Sequence, residues 1–268
     1  MRSPLISLAH LTILDADPVT LIESAASAGY DAVGLRIVPP LPTDTIIPVL
    51  GDLPLQRQIK GRMRDTGVGI LDVEAIWLTP RTDVAALLPA LDLGADLGAG
   101  YVLTVGHDPD WYRLCDNFGV LCEAAHTRGL RVMLEFIPYA ECASLLEAHR
   151  LLRAASPASA GLLVDALHLS RSNASPIDIK GYDPALFSYL HLCDAAETPP
   201  AAAELRNEAR SGRLYPGEGG LWLKDFLAAF PSATPVAIEA PNHARSHLSP
   251  KERAGLAMTA TRSLLDQV

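Results

Sequence analysis

The chain is short of cations: Lys and Arg number 22 against 31 Asp and Glu in 268 residues, a formal net charge of −9. A surface that follows a nucleic-acid backbone needs clustered positive charge, so this balance argues against nucleic acid as a partner. It also weakens phosphorylated substrates, although one local Arg suffices to hold a phosphate or carboxylate. Cysteine is scarce and unpatterned. Cys115, Cys122, Cys142 and Cys193 form no Cys-x-x-Cys pair, which tells against a disulfide framework and reads as a reduced, cytoplasmic protein. No segment reaches the roughly 20 uninterrupted apolar residues of a membrane span, and the Ala-rich window from Ala85 to Ala99 carries Asp92 and Asp96, as a soluble helix would. Met1-Arg2-Ser3 leads into an apolar stretch, but His10, Asp15, Asp17 and Pro18 interrupt it before it resembles a signal peptide. Absent too are a Gly-x-Ser-x-Gly elbow and a Gly-x-x-x-x-Gly-Lys loop, which argues against a Ser-His-Asp hydrolase and a P-loop enzyme.

What is present suits a folded, enzyme-sized protein: 49% hydrophobic residues, 20% charged, 19 Gly and 21 Pro. Its organising signal is a short apolar run alternating with a longer helical pattern. Eight runs occur, Leu5–His10, Ala32–Arg36, Gly69–Glu74, Tyr101–His107, Arg131–Glu135, Gly161–Asp165, Tyr189–Cys193 and Pro235–Glu239. Their starts are mostly about 27 to 37 residues apart, the length of one strand, one helix and two connections. Helices are expected over Pro18–Ala28 before Gly29, Leu53–Thr66 before Gly67, Cys115–Arg128 before Gly129, and Ser249–Leu265. Eight such units in one chain predict a single (β/α)8 barrel over residues 1–268. An open dinucleotide-binding sheet is disfavoured, because the turn after the first run reads Leu11-Thr12-Ile13-Leu14 and lacks glycine. Residues 195–212, with a Pro- and Ala-rich start and a charged end, predict a loop with a short helix. On a barrel this insertion lies above the catalytic face, either as a lid or as a solvated excursion.

A barrel assembles its site at the C-terminal ends of its strands. The last four runs deliver Glu135, Asp165, His191 and Glu239 there. Taken singly, a strand-end Asp is often a helix cap and a His often a hydrogen-bonded structural residue. Together, three carboxylates and an imidazole from four successive strands suit one hard or borderline divalent ion, Mn²⁺, Mg²⁺ or Co²⁺, with Zn²⁺ also compatible. Without a cation, carboxylates so clustered would repel one another.

These residues resemble the sugar isomerases and epimerases with a xylose isomerase-like barrel, a group that includes ketose 3-epimerases and inosose-processing enzymes, and the resemblance covers essentially the whole chain. In that family Glu, Asp, His and Glu from the fifth to eighth strands hold the metal, in the order of Glu135, Asp165, His191 and Glu239. The resemblance implies substrate contacts at Glu141, six residues beyond the first Glu, at His168 of Asp165-x-x-His168, and at Arg213 before Pro216-Gly217-Glu218-Gly219, although the stretch from His191 to Arg213 is longer than the family's. It also implies that Glu135 and Glu239 are an acid/base pair on the two faces of a small sugar-like substrate. The metal would polarise a carbonyl and its neighbouring hydroxyl and stabilise the enediolate left when a proton is removed. Return of that proton to the opposite face, return to the neighbouring carbon, or loss of a β-hydroxyl gives epimerase, isomerase or dehydratase chemistry.

Outer positions add candidates. Arg36 is placed to hold a substrate carboxylate or phosphate, or to pair with Glu74 and brace adjacent strand ends. His10 and His107 line the pocket or serve structure, and Trp77, Trp111, Phe136 and Tyr139 pack on a substrate or in the core. The principal reading is thus a metal-dependent isomerase or epimerase of a small hydroxy-carbonyl compound. A metal-dependent lyase or dehydratase of a keto-sugar or dehydro-acid is the alternative, and a non-catalytic barrel that binds a small polyol or sugar acid a third. Endonuclease IV-like repair enzymes share the barrel but need a multi-zinc cluster and a cationic surface. Homo-oligomers are common among such barrels, with no residue here that establishes one.

Overall fold

In the computed structural model, which describes residues 4–41, 43–157 and 159–268, eight parallel strands close into a barrel in chain order, the last pairing with the first. The reading of Met1-Arg2-Ser3 lies outside the described residues. The elements run β1 (Ile6–Leu8), α1 (Pro18–Ala28), β2 (Ala32–Arg36), α2 (Leu53–Thr66), β3 (Gly69–Leu78), α3 (Val84–Asp96), β4 (Tyr101–Gly106) and α4 (Trp111–His126). The second half continues with β5 (Arg131–Glu135), α5 (Leu145–Ala155), β6 (Ala160–Asp165), α6 (Ala166–Arg171), α7 (Pro176–Ile179), β7 (Leu190–Leu192), α8 (Leu205–Ser211), α9 (Leu223–Ala228), β8 (Val236–Ile238) and α10 (Pro250–Leu265). Among the described residues no helix is long and apolar enough to cross a membrane.

Local chemistry sets these boundaries. Asp17 caps α1 by accepting from Val19 N and Thr20 N, and Gly29 ends it at φ 81°, a left-handed turn that glycine adopts without a Cβ clash. Asp52 and Gly67 do the same for α2. The start of α4 is a correction: it begins at Trp111, four residues before the expected Cys115, because Asp110 accepts from Tyr112 N and Arg113 N and nucleates the helix early. Strand β3 runs beyond the expected Glu74 to Leu78, with a register shift against β4 between Val73 and Ile76.

Every strand is buried along nearly its whole length, as expected where helices cover a parallel barrel's outside and side chains fill its bore. The bore is packed by Leu71, Leu103, Met133, Leu163 and Tyr189 among others, and a larger apolar shell lies between strands and helices. The expected insertion after β7 contains a single 3₁₀ turn, Ala202–Glu204, and α8. Short antiparallel bridges tie its surroundings down, Asp194 to Leu214 and Gly212 to Asn242.

Candidate metal centre and its cavity

Parallel register carries the four predicted ligands to one place. Glu135 ends β5, Asp165 ends β6 and stands opposite His191 of β7, and Glu239 follows β8 directly, its N–H donating to Leu192 O. One donor atom from each residue lies within 4.8 Å of every other, and all four residues are buried. His191 Nδ1 is 3.4 Å from Glu239 Oε2, 3.6 Å from Glu135 Oε1 and 3.9 Å from Asp165 Oδ2. These separations are long for direct hydrogen bonds, and both ring nitrogens of His191 and Oε1 of Glu135 are buried without a partner. Donors about 2.0–2.3 Å from a common ion stand up to roughly 4.6 Å apart, so the residues fit a single divalent cation. Asp165 serves two functions, since Oδ1 caps α6 by accepting from His168 N at 2.9 Å while Oδ2 faces the cluster.

Arg213 reaches this cluster despite the long segment before it. Its Nη1 donates to Asp165 Oδ2 and, at 3.0 Å, to Glu239 O; Nη2 lies 2.9 Å from Glu239 Oε2; Nε donates to Ala209 O in α8 at 2.8 Å. The guanidinium is therefore spent largely on the ligands and on α8. Burial, which disfavours charge, raises the Glu135 carboxyl to about 7, against the pull of His191. Burial acts the same way on Glu239, but His191 and Arg213 overcome it and hold that carboxyl well below the usual range. For His191 burial opposes the charged form, yet Glu239 and Glu135 raise it well above the ordinary value. His168, buried beside Arg213, is lowered to about 4 chiefly by desolvation and is neutral near pH 7.

A small cavity of about 40 Å³ opens beside Glu135 and Glu239, lined also by Arg36, Tyr139, His168, Arg210 and Arg213, with Leu11, Pro40, Ala75, Trp77, Leu103, Ile137 and Ala209 as its apolar wall. Of the sequence-predicted contacts it thus gathers His168, Arg213 and Arg36. Arg36 also forms the bracing pair, with Nη2 2.8 Å from Glu74 Oε2. Three others stay outside. Glu141 is exposed and lines a separate recess with Asp108, Trp111 and Arg150, because Ile137 N donates to Cys142 O and Cys142 N to Gly106 O, a turn that carries Glu141 away from the barrel axis. His10 is buried with both ring nitrogens engaged, Nε2 with Ala16 O and Nδ1 with Arg36 N, so it serves structure. His107 stacks edge-on against Trp77 at 5.1 Å and is not among the cavity's lining residues. Phe136 is core, and Trp111 packs beneath Arg150.

The sequence reading missed Arg210 and Pro40 at the cavity mouth. It also missed Asp72, buried in the bore, which accepts from Tyr189 Oη at 3.0 Å and is raised to about 8 by burial and by neighbouring Glu74. A charged residue inside an otherwise apolar run was the available signal for Asp72; nothing local announces Pro40.

A family model described as a xylose isomerase-like TIM barrel matches residues 22–264. A 116-residue stretch, 43% of this chain, is 31% identical to part of a 3-dehydroshikimate dehydratase of Pseudomonas aeruginosa, and spans only 18% of that longer protein. Among solved structures, the fold is similar to that of the IOLI protein crystallised with a zinc atom (TM-score 0.80, 17% identity, 98% of each chain). It is similar also to a D-allulose 3-epimerase from Methylomonas sp. (TM-score 0.70, 16% identity, 98% of each chain).

Proposed function

The chain belongs to the xylose isomerase-like TIM barrel family, and from that premise we propose that it is a divalent-metal-dependent isomerase or epimerase of a small hydroxy-carbonyl compound, working by proton abstraction and return. The observation that carries this reading is the convergence of four buried donor residues, among which both ring nitrogens of His191 and Oε1 of Glu135 have no partner within the protein. Glu135, Asp165, His191 and Glu239 would hold the ion; the oxygen-rich set suits Mn²⁺, Mg²⁺ or Co²⁺, and the zinc atom in the IOLI crystal keeps Zn²⁺ in contention. When bound, the ion supplies Lewis-acid polarisation of a carbonyl–hydroxyl pair and charge balance for an enediolate.

The remaining work falls to the chain. Glu135 and Glu239 approach from strands three places apart in the eight-stranded ring, so each reaches a different face of a substrate between them. One removes a proton from carbon and the other returns one. Arg213 orients Asp165 and Glu239, and neutral His168 offers a hydrogen bond at the cavity wall. At about 40 Å³ the cavity is small, and in this reading its mouth widens to admit a substrate. We assign that motion to residues 195–212, which place Ala209 and Arg210 over the cavity, within a single barrel domain comprising residues 1–268. Four free cysteines accord with a reducing, cytoplasmic setting.

A second reading is favoured by the stretch that resembles 3-dehydroshikimate dehydratase. In it the same deprotonated intermediate loses a β-hydroxyl as water. One experiment separates the two: ketoses, inososes and dehydro-sugar acids are incubated in D₂O with Mn²⁺-loaded protein and followed by mass spectrometry. Deuterium gained at carbon with no other change in composition is the expected outcome. Loss of water instead transfers the assignment to a dehydratase, and no exchange with any compound removes both.

A further inference from the structure

An imidazole that ligates a metal through one ring nitrogen almost always donates the other N–H to a carboxylate, a carbonyl or a water, and that outer contact fixes both the tautomer and the plane of the ring. His191 turns Nδ1 towards Glu135, Asp165 and Glu239, so Nε2 is the nitrogen left for it. Among the described residues Nε2 is buried without a partner, and two further polar atoms share that condition close by, Asp72 Oδ1 and Ser7 Oγ.

Strand register carries the three side chains into the same part of the bore. His191 pairs with Ala237 of β8, and Ala237 pairs with Ser7 of β1, which pairs on its other side with Ala32 of β2. Ala32 and Ala237 belong to the bore's apolar lining, and partners in register point to the same side of a sheet, so Ser7 and His191 point inward with them. Asp72 enters from β3. Its Oδ2 accepts from Tyr189 Oη at 3.0 Å, and Tyr189, two residues before His191, lines the bore as well. Its Oδ1 lies over Gly34 of β2, where a Cβ would come within 2.9 Å of it and within 2.6 Å of Glu74 Oε1. Glycine at 34 and alanine at 32 and 237 thus keep the middle of this wall clear of side chains. Asp72 is not among the carboxylates that His191 touches directly. The two are within electrostatic range all the same, since burial and Glu74 raise the Asp72 carboxyl while His191 pulls against them.

We infer that Asp72 and Ser7 hold the outer edge of His191 through one internal water, which accepts from His191 Nε2–H and donates to Asp72 Oδ1 and Ser7 Oγ. Three converging polar atoms beside small side chains are what a buried water requires. Asp72 is then a positioning residue: by keeping the ring proton on Nε2 it leaves the Nδ1 lone pair bare and aimed at the cluster. This rests on the metal-dependent reading above and adds an outer partner to one of its ligands.

The test reads the metal site and not turnover. Mn²⁺ affinity is measured by equilibrium dialysis for the native protein, Asp72→Asn and Ser7→Ala. Asp72→Asn keeps the volume and an oxygen for Tyr189 Oη but removes the carboxylate, and should weaken Mn²⁺ binding about 10- to 100-fold, as loss of an outer-shell partner does. It should also shift the visible absorption bands of the Co²⁺-loaded protein, whereas a variant that merely loosens the fold lowers the melting temperature of the metal-free protein and leaves those bands in place. Ser7→Ala, the gentler change, should weaken binding a few-fold with folding retained. In the Zn²⁺-loaded native protein, nitrogen-resolved NMR should find the His191 proton on Nε2 and in contact with water. Mn²⁺ affinity unchanged in both variants, Co²⁺ bands unmoved in Asp72→Asn, or a His191 Nε2 that carries no proton or whose proton meets no water overturns the inference and leaves the metal reading standing. A native protein that retains none of the three ions removes the metal reading itself, and the inference with it.

Discussion

At the scale of single residues, Glu239 and Arg213 separate chemistry from scaffolding. Glu239→Gln keeps an oxygen for Arg213 Nη2 and nearly the same volume, so the fold should persist while turnover falls by about 10²–10⁴-fold, the usual contribution of a general acid or base. Activity close to that of the native protein would exclude Glu239 from the mechanism. Arg213→Ala leaves Asp165 and Glu239 buried without their cation, a loss of about 3–5 kcal/mol where a buried pair is broken. It should weaken metal retention at least as much as substrate affinity, in contrast to a residue that touches substrate alone; equilibrium dialysis with Mn²⁺ measures this. The protonation states also give a signed prediction. Glu135, at about 7 instead of 4.5, and Asp72, at about 8 instead of 3.8, bind protons more tightly folded than unfolded, as does His191. Their stabilising effect is complete below the ordinary carboxylate pKa and is lost as pH rises through the folded values, whereas His168, lowered to about 4, costs stability only as pH falls below 6.5. Metal-free protein should therefore lose stability as pH rises from the ordinary carboxylate range to about 8, and stabilisation by Mn²⁺ should grow over the same window because the proposed ligands must be deprotonated. Thermal melts with and without the ion test both slopes.

At the scale of elements, the mouth of the cavity is closed by two ion pairs of unequal weight. Arg171 grips Glu208 of α8 with two hydrogen bonds, at 2.7 and 2.9 Å, and its side chain is 2% exposed. Arg210 meets Asp44 from the loop after β2 through a contact at 2.7 Å whose arginine is about one third exposed. The first fixes α8 to the barrel; on the proposed motion, the second, more exposed pair is the side expected to part. Asp44→Asn keeps an oxygen for Arg210 and Leu41 N and should leave the fold intact while raising KM several-fold; an unchanged KM would show that this contact does not gate entry. Neither pair was legible beforehand, since the partners are far apart in sequence and no local pattern couples them. The strands and most helices were legible for the opposite reason. Apolar runs with Asp17 and Gly29, or Asp52 and Gly67, as punctuation carry their own boundaries, whereas Asp110 was passed over because the apolar period of α4 begins only later. The clustering of Glu135, Asp165, His191 and Glu239 was readable because strand ends in a barrel converge by topology, so position in sequence stands for position in space. Glu141 misled because spacing cannot report the turn from Ile137 to Cys142.

For the whole molecule, barrel closure through β1 and β8 brings the first strands beside the last, so that Arg36 shares a cavity with Glu239 although two hundred residues separate them. The long connection from β7 to β8 then crosses the open end and returns to the centre at Arg213. One guanidinium consequently has its Nη atoms on the ligands and its Nε on the backbone of α8. That shared anchor imposes an order of events. On the proposed reading, a bound ion would hold the carboxylates in register and give Arg213 a fixed seat from which to steady residues 195–212, and without it their mutual repulsion would loosen that seat. Chelation should accordingly turn Arg206 and Arg210 into the earliest sites of tryptic cleavage, and readdition of Mn²⁺ should protect them, which would make metal loading precede the ordering of the segment over the cavity.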